Sequence, residues 1–104
     1  MARKDIQIML EEAICSKNVY YQPPESIRLV YPCIVYNLNS ILKLTANDKA
    51  YKINKSYQVT RISKLADDPA VDRILELPYC SFDRYYVSDN LHHYVFTIYD
   101  QGGK

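Results

Sequence analysis

Apolar residues recur at Ile6, Met9, Leu10, Ala13 and Ile14, the i, i+3, i+4, i+7, i+8 spacing of a helix with one buried stripe. Lys4, Glu11, Glu12 and Lys17 fall mostly on the opposite side, so the spacing predicts an amphipathic helix over residues 3–17. The following NVYYQPPE reads as a surface connector, because Asn18 and two successive prolines forbid continuation of the helix. The period then changes to two. SIRLVYP places Ile27, Leu29 and Tyr31 on one face of an expected strand, and CIVYNLN places Ile34, Tyr36 and Leu38 on one face of a second. Pro32 marks a bend or edge between them, since it has no N–H for a ladder. Cys33 and Val35 are apolar as well, which suits a central strand covered on both faces.

In SILKLTANDKAYKINK the apolar Ile41, Leu42 and Leu44 alternate with lysine and polar residues around a turn signal, ANDK. A protruding hairpin or long loop is expected over residues 40–55. SYQVTRISK reads as a strand with Tyr57, Val59 and Arg61 on one side and Gln58, Thr60 and Ile62 on the other. ADDPAVDRILEL carries the sharpest helix signal: an aspartate cap, Pro69 at the first position, Asp72 in the first turn, the stripe Val71, Ile74 and Leu75, and Pro78 as terminator. The last strands flank the turn SDN, the second with Tyr94, Phe96 and Ile98 on one face and Val95 and Tyr99 on the other. QGGK, residues 101–104, is expected to fray. Two helices are too few to cover both faces of such a sheet. The expected fold is a single α+β domain, a two-layer sandwich with a mostly antiparallel sheet of four to five strands, leaving one face for water or a partner.

Composition sharpens this. The chain has 104 residues, enough for one core, and holds eleven tyrosines but no tryptophan and two glycines. Tyrosine favours strands and also supplies broad, half-polar contact area at interfaces. No apolar run reaches the ~20 residues of a membrane span, and Asp5 and Gln7 break what could have been a secretory signal, so a soluble cytoplasmic product with no membrane partner is expected. Cys15, Cys33 and Cys80 are odd in number and widely spaced, which suggests reduced thiols rather than disulfides or zinc ligands. Charge is uneven: residues 43–64 hold Lys43, Lys49, Lys52, Lys55, Arg61 and Lys64 against Asp48, a local +5 that leaves −4 for the rest of a chain whose total is +1. Such a split suits copies that meet heterologously, basic region against acidic region.

Candidate chemistry is thin. His92 and His93 are adjacent and would point to opposite faces of a strand, which does not grip one metal. Asp67 and Asp68 read as helix caps rather than catalytic carboxylates. Both glycines lie at the C-terminal end, so no phosphate loop exists. No catalytic residue, cofactor site or metal site is expected, and the protein is not expected to be an enzyme; a small hydrolase using His92 or His93 is the remaining catalytic reading. The basic segment, with Tyr51 and Tyr57 interleaved, has three readings: a subunit contact, a solvated hairpin guarding an edge, or a nucleic-acid backbone contact.

The succession of an N-terminal amphipathic helix, YPCIVYNL, an excursion containing TANDKAY, KSYQVTRI, DDPAVDRILEL and a closing aromatic strand resembles the tail terminator, or tail completion, proteins of long-tailed bacteriophages. LELPYCSFDRYYVSDNLHHYVFTIYD is also similar to the ends of small phage neck proteins. The resemblance implies a structural virion protein that forms a hexameric ring at the head-proximal end of the tail tube, stops tube growth and joins tail to head. It would be made in the host cytoplasm and end in the virion neck. Implied partners are further copies of the chain, the tail tube protein and head–tail connector proteins, with genomic DNA able to pass through the ring. Another connector, adaptor or head-completion role is the alternative, since the chain is shorter than many such proteins and has Cys33 where an aromatic often stands. By position, the subunit or partner interface falls on Lys43, Leu44, Asn47, Asp48, Lys49, Tyr51, Lys52, Tyr57 and Arg61.

Overall fold

The structure is a computed structural model that describes residues 3–46 and 49–100. Its elements are α1 (Arg3–Ile14), β1 (Val19–Tyr21), β2 (Cys33–Ala46), β3 (Lys49–Ser63), α2 (Pro69–Leu75), β4 (Cys80–Ser88) and β5 (Leu91–Asp100). The sheet runs β1-β2-β3-β5-β4; β1 is parallel to β2 and every other pair is antiparallel. This is the α+β sandwich that the pattern predicts.

Both helices lie on one face. Ile6, Leu10 and Ile14 of α1 and Ala70 and Ile74 of α2 share one buried cluster with Val19, Ile34, Tyr36, Tyr57, Val59, Phe96 and Ile98. The strand residues in that cluster have matching parity across the register, Tyr36 opposite Val59 and Val59 opposite Phe96, which places them on the same side of the sheet. Tyr36 is fully buried, and its hydroxyl donates to Gln7 Oε1 at 2.6 Å; Gln7 Nε2 in turn donates to the Val19 carbonyl at 3.0 Å. One glutamine therefore ties α1 to β1 and β2 and satisfies the polar end of a core tyrosine.

α1 ends three residues earlier than expected. Ser16 N–H donates to the Glu11 carbonyl at 3.1 Å and Cys15 N–H to that of Glu12 at 3.3 Å, with Cys15 at φ 54, the bonding of a Schellman cap. Arg73 Nε adds a 2.5 Å bond from α2 to the Ala13 carbonyl. α2 begins as predicted: Asp68 accepts from Ala70 N–H at 3.0 Å and Pro69 takes the first position. Its buried stripe is Ala70 and Ile74, while Leu75, expected inside, is exposed.

Two sequence expectations are corrected in the stretch before β2. The supposed connector contains β1, whose Val19, Tyr20 and Tyr21 pair with Ile34, Val35 and Tyr36. The supposed strand at Ile27, Leu29 and Tyr31 is irregular, hemmed between Pro24 and a cis Tyr31–Pro32 peptide. Alternation alone does not make a strand, because a strand exists only where it pairs with another.

Candidate functional site

Two features of the sheet have no counterpart in its covered centre. The first is an arm. β3 pairs with β5 only from Lys55 to Ser63, and β1 reaches only residues 34–36 of β2, so residues 41–46 and 49–54 pair with each other and with no third strand among the described residues. Six residues per strand project roughly 20 Å, in keeping with a long axis of 51 Å against 31 and 23 Å for the others. A bulge between Leu38 and Ser40 marks the base, where Ser40 and Ser56 hydroxyls lie 2.7 Å apart and Asn39 Nδ2 donates to Ser56 Oγ at 3.2 Å. Ile41 and Leu42, successive residues facing opposite sides, are each 55% exposed. A recess of about 270 Å³ at the base is lined by Ser40, Leu42, Asn54, Ser56, Tyr99 and Asp100.

The second feature is the edge strand β4. Its residues 81–88 are all exposed, including Phe82, Tyr85, Tyr86 and Val87, and Tyr79 just before it is exposed as well. Its one strand partner among the described residues is β5, reached through a hairpin whose two turn residues, Asp89 and Asn90, have φ of 52 and 62, the left-handed pair of a type I′ turn. A bulge falls between Phe82 and Arg84, and Asp83 accepts a 2.7 Å bond from Thr97 Oγ1 there. Lysine and proline, which commonly guard exposed edges, are absent from the strand.

The sheet face away from the helices corrects a simpler expectation, that it stands bare. Cys33, Ile62, Val95 and Thr97 on it are all buried, and Val95 sits in register between Thr60 and Arg84. Its exposed tyrosines, Tyr86 and Tyr99, lie at its margins. Exposure of apolar surface is a property of the rim.

The expected interface residues divide accordingly. Lys43 is exposed on the arm. Leu44, Lys49, Tyr51 and Lys52 fall on the arm's two strands, and Asn47 and Asp48 lie outside the described residues. Tyr57 and Arg61 are inside the subunit, 3% and 6% exposed, and so are corrected as contact residues. Both share the parity of Val59, which faces the helices. Tyr57 packs edge-on against Tyr36 at 6.1 Å. Arg61 donates to Asp68 from Nε at 2.6 Å and from Nη2 at 3.4 Å, a buried pair at the cap of α2. Burial opposes charge on Asp68, yet the Arg61 and Ala70 hydrogen bonds outweigh it and hold the carboxyl below the ordinary range.

Among the described residues, catalytic groups do not converge. His92 Nδ1 lies 2.6 Å from the Tyr85 hydroxyl and its ring stacks on Tyr85, while His93 stacks on Tyr86 at 4.6 Å and donates from Nδ1 to the Leu91 carbonyl at 3.0 Å. The two histidines face opposite sides, as expected. Cys33 shares a sheet face with His93 but stands two strands away, roughly 10 Å, beyond hydrogen-bond reach. Burial pushes the Cys33 and Cys80 thiols up to about 11, which disfavours the thiolate a nucleophile requires. Among the described residues no cluster of three or more His, Cys, Asp or Glu could hold a metal ion, and no helix is long and apolar enough to cross a membrane. No protein-family model matches the chain, and no curated protein matches it. The residues themselves therefore carry the functional reading, and sequence reasoning missed the larger half of it: β4 was legible as a strand, but its place at the edge was not.

Proposed function

We propose that this protein is a structural assembly subunit, a ring-forming protein of a phage neck in the manner of tail terminators, which ends tube growth and joins tail to head. The observation that carries the reading is the pairing of an unsupported arm with an exposed aromatic edge strand on one small subunit. A two-stranded ribbon is marginal in water on its own, and a long apolar edge invites another chain. Both features gain from association, at about 25 cal/mol per Å² of apolar area before association costs. The charge split along the sequence supports heterologous contacts, the kind from which rings are built. Arg61 is committed to Asp68, which removes one cation from the basic segment and weakens a nucleic-acid reading.

The test is assembly. Purified protein added to polymerising tail tubes is expected to cap them and narrow their length distribution, with ring density at one end in electron micrographs. Tubes that reach the same lengths with and without the protein, and carry no added ring, sink the proposal. Duplex DNA titrated at low and high salt separates the alternative, since neutralising several phosphates gives steep salt dependence.

A further inference from the structure

Resting on the reading that copies of the chain assemble, we infer that the arm of one subunit adds as a strand to the β4 edge of the next, so that the sheet continues from subunit to subunit. Three observations select these two surfaces for each other. Each is an open strand edge: residues 41–46 of β2 lie beyond the reach of β1, and β4 is the last strand of the sheet. The edges are matched in side-chain character: Ile41 and Leu42 face opposite sides of the arm, and β4 offers Phe82, Tyr85 and Val87 on one face and Tyr86 on the other, all of them exposed, so strand addition would set apolar residues side by side on both faces. They are complementary in charge: residues 40–55 carry Lys43, Lys49, Lys52 and Lys55 against Asp48, a net +3, whereas residues 80–100 carry Asp83, Asp89 and Asp100 against Arg84, a net −2.

The geometry also explains why the edge lacks lysine and proline. A strand that must accept a neighbour cannot carry proline at its hydrogen-bonding positions, and lysines there would repel a basic arm. Because giving and receiving surfaces differ, the contact is heterologous, and every subunit offers one of each.

That asymmetry supplies a complementation test by native mass spectrometry and sedimentation, up to millimolar protein at low salt. An edge-blocked variant, Tyr85→Lys with Val87→Lys, keeps its arm. An armless variant, with residues 41–54 replaced by a short turn, keeps its edge. It also keeps the β3–β5 ladder, which starts at Lys55. The wild-type chain is expected to self-associate, each variant alone to stay monomeric, and their mixture to form a 1:1 heterodimer that cannot grow. Cooperative melting checks that both variants fold. Should the armless chain fail to fold, Lys43→Glu with Lys55→Glu serves as the arm variant and is expected to weaken self-association at least tenfold. Wild-type assembly with undiminished self-association of either variant, or a mixture that stays monomeric, overturns this contact while leaving ring formation standing. A wild-type chain that is monomeric throughout overturns the contact, and failure to cap tubes as well removes the functional proposal beneath it.

Discussion

Phe96 and Phe82 are cross-strand neighbours with ring centroids 5.7 Å apart, yet Phe96 is fully buried and Phe82 is 47% exposed. The same contrast separates Tyr36, sealed beneath α1, from Tyr85 on the edge strand. Residue type is equal in each pair; what differs is how completely the helical layer covers the strand. α1 and α2 cover β2, β3 and β5; α2 reaches β4 as well, where Cys80 packs against the core, yet residues 81–88 of that strand stay exposed, as do Ile41 and Leu42 on the arm. Aromatic content therefore does not mark an assembly surface by itself. An aromatic residue on a strand that the second layer fails to cover does.

The contrast predicts a large asymmetry between the two phenylalanines. Phe96→Ala is expected to lower the unfolding free energy by about 3–5 kcal/mol, the usual loss for a large aromatic deleted from a packed core. Phe82→Ala in the isolated subunit is expected to lose less than about 1 kcal/mol, because half its surface already meets water. Urea denaturation of the two variants decides it, and comparable losses would erase the distinction between centre and rim.

Ion pairs divide in the same way. Breaking the buried Arg61–Asp68 pair leaves a carboxylate without its counter-ion, so Arg61→Met is expected to cost about 3 kcal/mol at pH 7. Lys17 is 90% exposed where it meets Glu11 at 3.2 Å, and Lys17→Ala is expected to stay within about 0.5 kcal/mol. The sign of the pH effect follows from Asp68, whose folded pKa is depressed. Its pairing contributes stability above the unfolded value near 3.9, and that contribution is lost as pH falls from there through the folded value. Denaturation at pH 7 and pH 3 should show the gap between wild type and Arg61→Met shrinking in acid. A constant gap contradicts the pairing.

Most of the central layer was legible because its signals are local. Asp68-Pro69 announced α2, period-two alternation announced β2, β3 and β5, and the ANDK and SDN turns announced both hairpins. What failed was non-local. β1 is three residues long and lies beside two prolines, so only its partner Ile34–Val35–Tyr36 segment makes it a strand. Tyr57 and Arg61 were expected at an interface from the charge run around them, although their shared parity with Val59 could have placed them inside. The order β3-β5-β4, which sets the C-terminal hairpin's first strand at the edge, leaves no trace in periodicity.

The thiols offer a chemical probe of the same boundary. Cys15 is exposed, whereas burial raises Cys33 and Cys80 to about 11. At pH 8 roughly 0.1% of such thiols is ionised, so iodoacetamide followed by peptide mass mapping should find Cys15 alkylated at least tenfold faster than either. Labelling of Cys33 and Cys80 should rise about tenfold per pH unit up to that value. Cys80 opens β4, so its reactivity locates where cover ends along the edge strand. Labelling of Cys80 at the rate of Cys15 moves that boundary inward.

The smallest effect concerns how tightly the rim is joined to the centre. Asp89 and Asn90 both occupy the left-handed region, where a residue with a Cβ is disfavoured by roughly 1 kcal/mol relative to glycine. Glycine's greater freedom in the unfolded chain offsets part of that gain, so Asn90→Gly is expected to stabilise the hairpin by about 0.5 kcal/mol. Because the ladder to β5 is the only strand pairing of β4 among the described residues, the gain should appear as about a twofold rise in hydrogen-exchange protection of β4 amides. Protection in β2 and β3, bounded by larger openings of the core, should not change. If protection rises equally in all strands, β4 opens only together with the centre. The edge is then exposed without being independently mobile, and a neighbouring subunit would meet a preformed strand rather than order a loose one.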